Sequence, residues 1–355
     1  MKYSLIHTET KEFSIENIKI GGNNNPLIIP EIGINHEGSL SVACEMVLSA
    51  KRAGAKIIKH QTHVVDDEMS HLAKSVVPGN ADVSIYDIMK RCALNEEEEL
   101  ELKRYTEELG MVFLSTPFSR AAARRLKKFG VSAFKIGSGE LNNYPLIEEI
   151  AEYGKPMIVS TGMNDIKAID IAVNIMEKRG VSYALMHTTN LYPTDPRLVR
   201  LGAMEEMMEH FKGVPIGLSD HTLNNNSSIA AMTLGAKLIE RHYTDVKSRT
   251  GPDIVCSMDE AELKDLINAS YEIPLMLGGK KEACKEEQVT IDFAFATVVT
   301  IKDIKKGEIF TKDNLWVKRP GIGAIKAIEY ESLLGKRASK DLKADTHISY
   351  DDILE

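Results

Sequence analysis

Cysteine and tryptophan are scarce in this chain, with four of the former and one of the latter among 355 residues. Cys44, Cys92, Cys256 and Cys284 lie far apart and form no CxxC pair. That spacing excludes a disulfide-stapled scaffold and the usual thiolate zinc centres, and it predicts reduced, mostly buried thiols of a cytosolic protein. Long apolar runs are missing as well. None approaches the ~20 residues of a membrane span, and the N-terminus has no signal-peptide core, so the expected location is the cytoplasm. A surplus of positive charge is also lacking. Lys and Arg number 44 against 52 Asp and Glu, giving -8 at neutral pH, which argues against nucleic acid or a membrane surface as partner. What is present is 43% hydrophobic and 27% charged, with mean hydropathy -0.18. This is the make-up of a globular protein large enough for a sizeable core and two domains.

From residue 27 to about 285 one theme repeats. A short apolar run is followed by a polar turn and then by an amphipathic helical stretch. The runs are Leu27–Ile34, Ala55–Gln61, Met111–Ser115, Ala133–Ile136, Met157–Ser160, Tyr183–His187, Val214–Leu218 and Ala236–Ile239. Eight β–α units predict an α/β fold of the TIM (β/α)8 barrel type. The segment Val64–Asn95 is longer than any other connection and is expected to wall the site. The acidic run Glu96–Glu99 reads as a solvated helix start, and Met204, Met207 and Met208 read as packing residues. Beyond residue 285 the helical period disappears. Lys302-Asp303-Ile304-Lys305 recurs as Lys340-Asp341-Leu342-Lys343, 38 positions later. Such a repeat predicts a small pseudo-symmetric β domain over 285–355, after a catalytic domain over 1–284.

Barrel chemistry sits at the C-terminal strand ends, and these ends are polar here. Ser219 and His221 alternate onto one strand face, and so do Glu240 and His242. If the two strands are neighbours, two imidazoles converge beside a hydroxyl and a carboxylate. Two neutral nitrogens, with water, substrate oxygens or a carboxylate such as Glu31, suit an open Mn2+ or Mg2+ site better than a closed zinc site. Lys59 and Lys135 fall inside strands, where an ammonium needs an anion. With the hydroxyls of Ser115, Thr116, Ser138, Ser160 and Ser219 they would make a pocket for a phosphate and a carboxylate. Other readings of the lysines are structural bridges to Glu31 or Glu140, or a Schiff base. Gly137-Ser-Gly139 lacks the third glycine of a dinucleotide fingerprint. His60 and His63, three apart on a strand, face opposite ways and should not chelate.

With these residues in place, the chain resembles the bacterial N-acetylneuraminate (sialic acid) synthases over essentially its whole length. The resemblance rests on Glu31-Ile-Gly-Ile-Asn-His-Glu-Gly38, Lys59-His-Gln-Thr62, Pro78-Gly-Asn-Ala-Asp82, Ser115-Thr-Pro-Phe-Ser-Arg120, Lys135-Ile-Gly-Ser-Gly-Glu140, Ser160-Thr-Gly-Met163, Gly217-Leu-Ser-Asp-His-Thr222, Gly251-Pro-Asp-Ile-Val-Cys-Ser257 and Trp316-Val-Lys-Arg-Pro-Gly321. It implies a TIM barrel followed by an antifreeze-like (SAF, β-clip) domain. It also implies condensation of phosphoenolpyruvate with N-acetylmannosamine and water, releasing phosphate by C–O cleavage. Phosphoenolpyruvate would be held by Lys59, Thr116, Lys135, Ser138, Ser160, Asn190 and Ser219. Substrate contacts would also come from Gln61, Asn80, Glu140, Tyr192, Asp253 and Arg319, and His221 and His242 would bind Mn2+, or Mg2+ or Co2+ in its place. Glu31 or Glu240 would handle charge and protons beside the two lysines. Arg319 would complete the partner's site in a domain-swapped homodimer. The nearest rival is the same chemistry on a diacetamido-trideoxy hexose, giving legionaminic or pseudaminic acid, with the choice made near Tyr192, Asp253 and Val64–Asn95. More distant rivals are a metal-dependent hydrolase or aldolase, which needs no such set of lysines and hydroxyls, and a non-enzymatic sugar- or ice-binding module.

Overall fold

The computed structural model describes residues 9–78 and 82–354. It divides into two compact units, Met1–Gly278 and Gly279–Glu355. A short hairpin of β1 (Glu12–Ile15) and β2 (Ile18–Gly21) comes first. Eight parallel strands follow: β3 (Leu27–Gly33), β4 (Ile57–Thr62), β5 (Val112–Pro117), β6 (Phe134–Ile136), β7 (Met157–Ser160), β8 (Tyr183–Thr188), β9 (Ile216–Asp220) and β10 (Leu238–His242). They close into a barrel in chain order, with β10 pairing to β3. The α/β barrel expected from the repeating pattern is therefore present, and each of the eight apolar runs contributes a strand.

Helices α1 (Leu40–Ala53), α4 (Glu96–Glu108), α5 (Arg120–Phe129), α6 (Tyr144–Ala151), α7 (Ile166–Lys178), α8 (Leu201–His210), α9 (Asn226–Thr233) and α10 (Glu260–Met276) return the chain to the next strand or close the unit. Local signals set their ends. Ser39 caps α1 at Val42 N, Ser119 caps α5 at Ala122 N, and Asn95 forms a capping box with Glu98 at the start of α4. Each such cap satisfies amides that the first helical turn leaves unpaired. Between β4 and α4 the long excursion holds α2 (Val65–Glu68), a 3-10 turn and α3 (Ile85–Cys92).

Strand periodicity places the two cores and the site at once. Along β3, Leu27 and Ile29 point inward while Ile28 and Ile32 pack against helices. The same parity puts Ile57, Val112, Leu114, Ala133, Ile158, Ala184, Met186 and Leu238 inside the barrel. Ile58, Phe113, Phe134, Ile136, Val159, Leu185, Ile216, Leu218 and Ile239 face the helices. Halfway up, the inward positions change character. They become Glu31, Lys59, Gln61, Thr116, Lys135, Ser160, Ser219 and Glu240, all lining one cavity. The lower barrel is thus an apolar plug and the upper barrel a polar cup. Ile15, Ile18 and Ile20 of the hairpin join the lower plug. That hairpin was not expected from the sequence, because four-residue strands are too short to display a period of two.

The second unit has its own core around Val298, Ile304, Phe310, Leu315, Ile325 and Ile348. Its elements are α11 (Gln288–Ala294), β11 (Thr297–Thr300), β12 (Leu315–Lys318), α12 (Tyr330–Leu333), β13 (Arg337–Ala338) and β14 (Ile353–Leu354), the strands forming two small antiparallel sheets. The 38-residue repeat turns out to be a reciprocal clasp. Ile304 bridges Leu342. Lys306 N donates to Asp341 Oδ1 at 2.8 Å, and Ala344 N donates to Asp303 Oδ1 at 2.9 Å. Lys305 and Lys343 pair with the remaining carboxylate oxygens at 2.9 and 2.8 Å.

Candidate active site

The site stands where the inward parity meets the C-terminal strand ends. Because β9 and β10 are neighbours with Ser219 opposite Glu240, the two histidines do converge, their ring centroids 5.4 Å apart. They line a cavity of about 230 Å3 with Glu31, Lys59, Gln61, Thr116, Lys135, Ser138, Glu140, Ser160, Asn190, Tyr192, Ser219 and Glu240. Lys59 Nζ lies 2.5 Å from Glu31 Oε1 and 3.2 Å from Glu240 Oε1. Lys135 Nζ lies 3.4 Å from the same Glu240 oxygen and donates to Ser160 Oγ at 2.6 Å. Ser219 Oγ donates to Glu240 Oε1 at 3.5 Å. The lysines therefore pair with Glu31 and Glu240, and not with Glu140.

Burial and charge act against each other here. Burial would depress the Lys59 ammonium, but Glu240 and Glu31 outweigh it and hold its pKa above the ordinary value. Burial wins at Lys135, which is pushed down in spite of Glu240. Glu31, although buried, is held well below the carboxylate range by Lys59 and His242. Burial and the charge of Glu68 push Glu140 up to about 7. Thr116 Oγ1, Glu140 Oε2, Asn190 Oδ1 and Glu240 Oε2 are buried without a hydrogen-bond partner. Buried polar atoms are normally satisfied, so four orphans in one cup mark a place for a polar ligand. Gly162 belongs to this cup by its lack of a side chain. A Cβ there would overlap Asn190 Oδ1 and crowd Ser138 Oγ, the acceptor for Gly162 N at 3.0 Å.

The histidine pair offers a partial metal shell. His221 Nδ1 donates to the carbonyl of Thr189 at 2.8 Å, which leaves Nε2 as the lone-pair nitrogen. Burial and the neighbouring His242 depress His221 to about 4, so its ring is neutral at physiological pH. His242 lies between carboxylates, with Nε2 3.6 Å from Glu31 Oε2 and Nδ1 3.5 Å from Asp253 Oδ2. Nδ1 of His242 is buried and unpaired. Among the described residues no three His, Cys, Asp or Glu side chains gather as a closed metal site. Two imidazoles flanked by carboxylates fit an open divalent site completed by oxygen ligands.

Beside the cup lies a chamber of about 680 Å3 sharing Gln61, Phe118, Tyr192 and His242 with it. Ile34, Pro78, Val83, Ile85, Ile88, Met89 and Pro252 line its walls, with Glu37, Asp82, Arg91 and Asp253 among them. The excursion after β4 thus forms a site wall, as its length suggested. Asp253 borders this chamber and not the inner cup. Arg319 belongs to the C-terminal unit, and Asn80 lies outside the described residues.

The outward faces of the same strands carry polar residues that the sequence reading assigned otherwise. Glu99, taken as part of a solvated helix start, is 1% exposed in its side chain. It accepts from the Thr62 hydroxyl and pairs with Arg125 at 3.1 Å. Helical phase explains the difference, since Glu99 shares the inward face of α4 with Leu102 and Thr106. Ser115, expected in the pocket, faces outward and bonds Thr62 at 2.7 Å. Arg241, fully buried behind His242, donates to Thr222 O at 2.6 Å and fixes the loop after His221. Cys284 is exposed, whereas Cys92 and Cys256 are buried.

Comparison with known proteins agrees with this geometry. The N,N'-diacetyllegionaminic acid synthase of Campylobacter jejuni is 38% identical over 90% of this chain and 97% of its own. The human N-acetylneuraminate-9-phosphate synthase is 31% identical, with 93% of each chain covered. A crystal structure of N-acetylneuraminic acid (sialic acid) synthetase from Leptospira borgpetersenii superposes with a TM-score of 0.73 at 31% identity, covering 80% of this chain and 96% of that one. The SAF domain matches residues 295–354. The NeuB family matches residues 46–282, and this chain is an enzyme of that family of sialic acid-type synthases.

Proposed function

We propose that the chain condenses phosphoenolpyruvate with the aldehyde of an N-acylated amino hexose and water, giving a nine-carbon 2-keto acid and phosphate. The observation that carries this reading is the cup itself. Two buried ammoniums, Ser160, Ser219 and the unpaired Thr116 hydroxyl converge there on a cavity of about 230 Å3. Lys59 and Lys135 would bind the carboxylate and phosphate, with Thr116, Ser138, Ser160, Asn190 and Ser219 completing the hydrogen bonds. His221 and His242 would hold a divalent ion, Mn2+ by preference, which would supply Lewis-acid polarisation of the acceptor carbonyl.

Carbon–carbon bond formation from C3 of the enol to the aldehyde carbon breaks the carbonyl π bond, leaving an alkoxide there and positive charge at C2, which water captures. Glu240 is suited to take that water's proton and pass it to the alkoxide, because its Oε1 touches both lysines while its Oε2 is free. The tetrahedral intermediate then expels phosphate by C–O cleavage as the C2 hydroxyl gives up its proton to the phosphate and becomes the ketone, and the two lysines neutralise the leaving group.

For the acceptor we propose a 2,4-diacetamido-2,4,6-trideoxy hexose. Its three methyl groups match the apolar walls from Ile34, Val83, Ile85, Ile88 and Met89 better than the 6-hydroxyl of N-acetylmannosamine does. The C. jejuni relative supports this choice, while the sialic acid synthetase of L. borgpetersenii favours N-acetylmannosamine as the second reading.

The test is phosphate release from bridge-18O phosphoenolpyruvate with each sugar and Mn2+. The expected result is label in the phosphate and a higher kcat/KM with the diacetamido sugar. Release with neither sugar, or label kept in the organic product, would sink the condensing reading; preference for N-acetylmannosamine would sink only the acceptor choice. Chelation should stop turnover, Mn2+ should restore it, and His221→Ala should not be restored.

A further inference from the structure

His63 stands just beyond β4, two residues after Gln61, and the reaction as written does not use it. Its side chain is 1% exposed and its ring stacks on Phe118 at 4.4 Å and 17°. Both ring nitrogens face oxygen. Nδ1 is 2.8 Å from Glu68 Oε2, and Nε2 is 3.2 Å from Gln61 Oε1. The far end of Gln61 sets its orientation, because its Nε2 donates to Glu31 Oε1 at 2.7 Å. Turning the amide over would set a carbonyl oxygen against a carboxylate. An amide oxygen only accepts, so His63 Nε2 carries a proton. Nδ1 faces the Glu68 carboxylate, which holds the ring in this orientation.

We infer that His63 is a positioning residue, clamped by Glu68, that grips the Gln61 carboxamide by its oxygen and so aims its amide nitrogen at Glu31. This rests on the condensing reading of the site. Gln61 borders both the cup and the side chamber, and Glu68 ends α2, the first element of the excursion after β4. The relay therefore bears on the sugar and on Glu31, while Lys135, Ser160 and Ser219 stand on other strands. The charged and titratable groups around it are Glu31 and Lys59 beyond Gln61, Glu140 within reach of Glu68, and His36 and His60 on the far side of β4.

Two measurements on the full chain test it. In 15N-histidine NMR, the signal that His63→Phe removes should be that of a ring with its proton on Nε2. In kinetics, His63→Phe keeps the stack on Phe118 but not the hydrogen bonds. It should raise the sugar KM about tenfold, the worth of one buried hydrogen bond, and leave the phosphoenolpyruvate KM within about twofold. His63→Gln can donate to Gln61 Oε1 and should recover most of the loss. An unprotonated His63 Nε2, equal rises in both KM values, or no recovery in His63→Gln would overturn the proposal. The NMR result needs no turnover, so failure of the condensing reading shows in the wild-type assay and failure of the relay shows in the spectrum. If His63→Phe does not fold, His63→Leu, which also lacks the hydrogen bonds, supplies both the missing signal and the KM comparison.

Discussion

A single buried carboxyl makes the cup sensitive to pH. Glu140 has its folded pKa raised from 4.5 to about 7, by burial first and Glu68 second. The folded chain therefore binds more protons than the unfolded chain between those values. Its stabilising contribution is fully present below pH 4.5 and is lost as pH rises through about 7. Glu140→Gln keeps the shape without the charge. Relative to wild type it should gain on the order of 3 kcal/mol across that window, read from urea midpoints at several pH values. A constant difference would contradict the assignment. Gly162 makes the second residue-scale case, and it concerns space, not backbone strain. A methyl there meets Asn190 Oδ1 and Ser138 Oγ, so Gly162→Ala should raise the phosphoenolpyruvate KM by about tenfold or more, or ~1.4 kcal/mol. Its circular dichroism should match wild type. An unchanged KM would remove Asn190 and Ser138 from the binding set.

At the scale of elements, each strand serves two surfaces. Lys59 and Gln61 face the cup, while His60 and Thr62 face α4 and α5, where Glu99 ties Thr62 to Arg125. Removing one partner of a buried pair leaves the other uncompensated. Glu99→Ala should thus destabilise by roughly 3 kcal/mol or more, whereas Glu97→Ala, on the exposed face of the same helix, should stay within about 0.5 kcal/mol. Equal urea midpoints for the two variants would show that the β4–α4 tie carries little stability. Barrel parity also explains why so many hydroxyls reach one cup. Alternate residues on eight strands point inward, so a polar layer above an apolar one needs only a change of residue type along each strand.

At the scale of the molecule, each of the two units is held by apolar cores of its own, those of the barrel and that of Gly279–Glu355. The C-terminal clasp is nearly symmetric, Asp303 and Asp341 each accepting from one backbone amide and one lysine. Asp303→Ala and Asp341→Ala should therefore lower the thermal transition of this unit by matching amounts while leaving the barrel transition in place, as read by calorimetry. Unequal shifts would mean that the repeat is one of sequence alone.

The sequence by itself determined the eight-fold β–α rhythm, the small repeated domain and the family. It also placed the strand-end residues Glu31, Lys59, Lys135, Ser219, His221, Glu240 and His242. Their legibility has a physical basis. Period-two alternation and polar strand ends are local properties, visible without knowing which strand neighbours which. Only the tertiary structure decided how those residues share partners. Glu240 lies between two lysines because three strands meet across the barrel, and no local pattern reports that. Burial of Glu99 depended on the phase of α4 against the barrel wall, and the outward turn of Ser115 depended on the parity of β5. His63 was weighed in the sequence only as a chelator, and its role as a donor stayed hidden for the same reason. Its neighbours Gln61, Glu68 and Phe118 come from β4, α2 and the loop after β5, and a donor's role is defined only once its acceptors are in place.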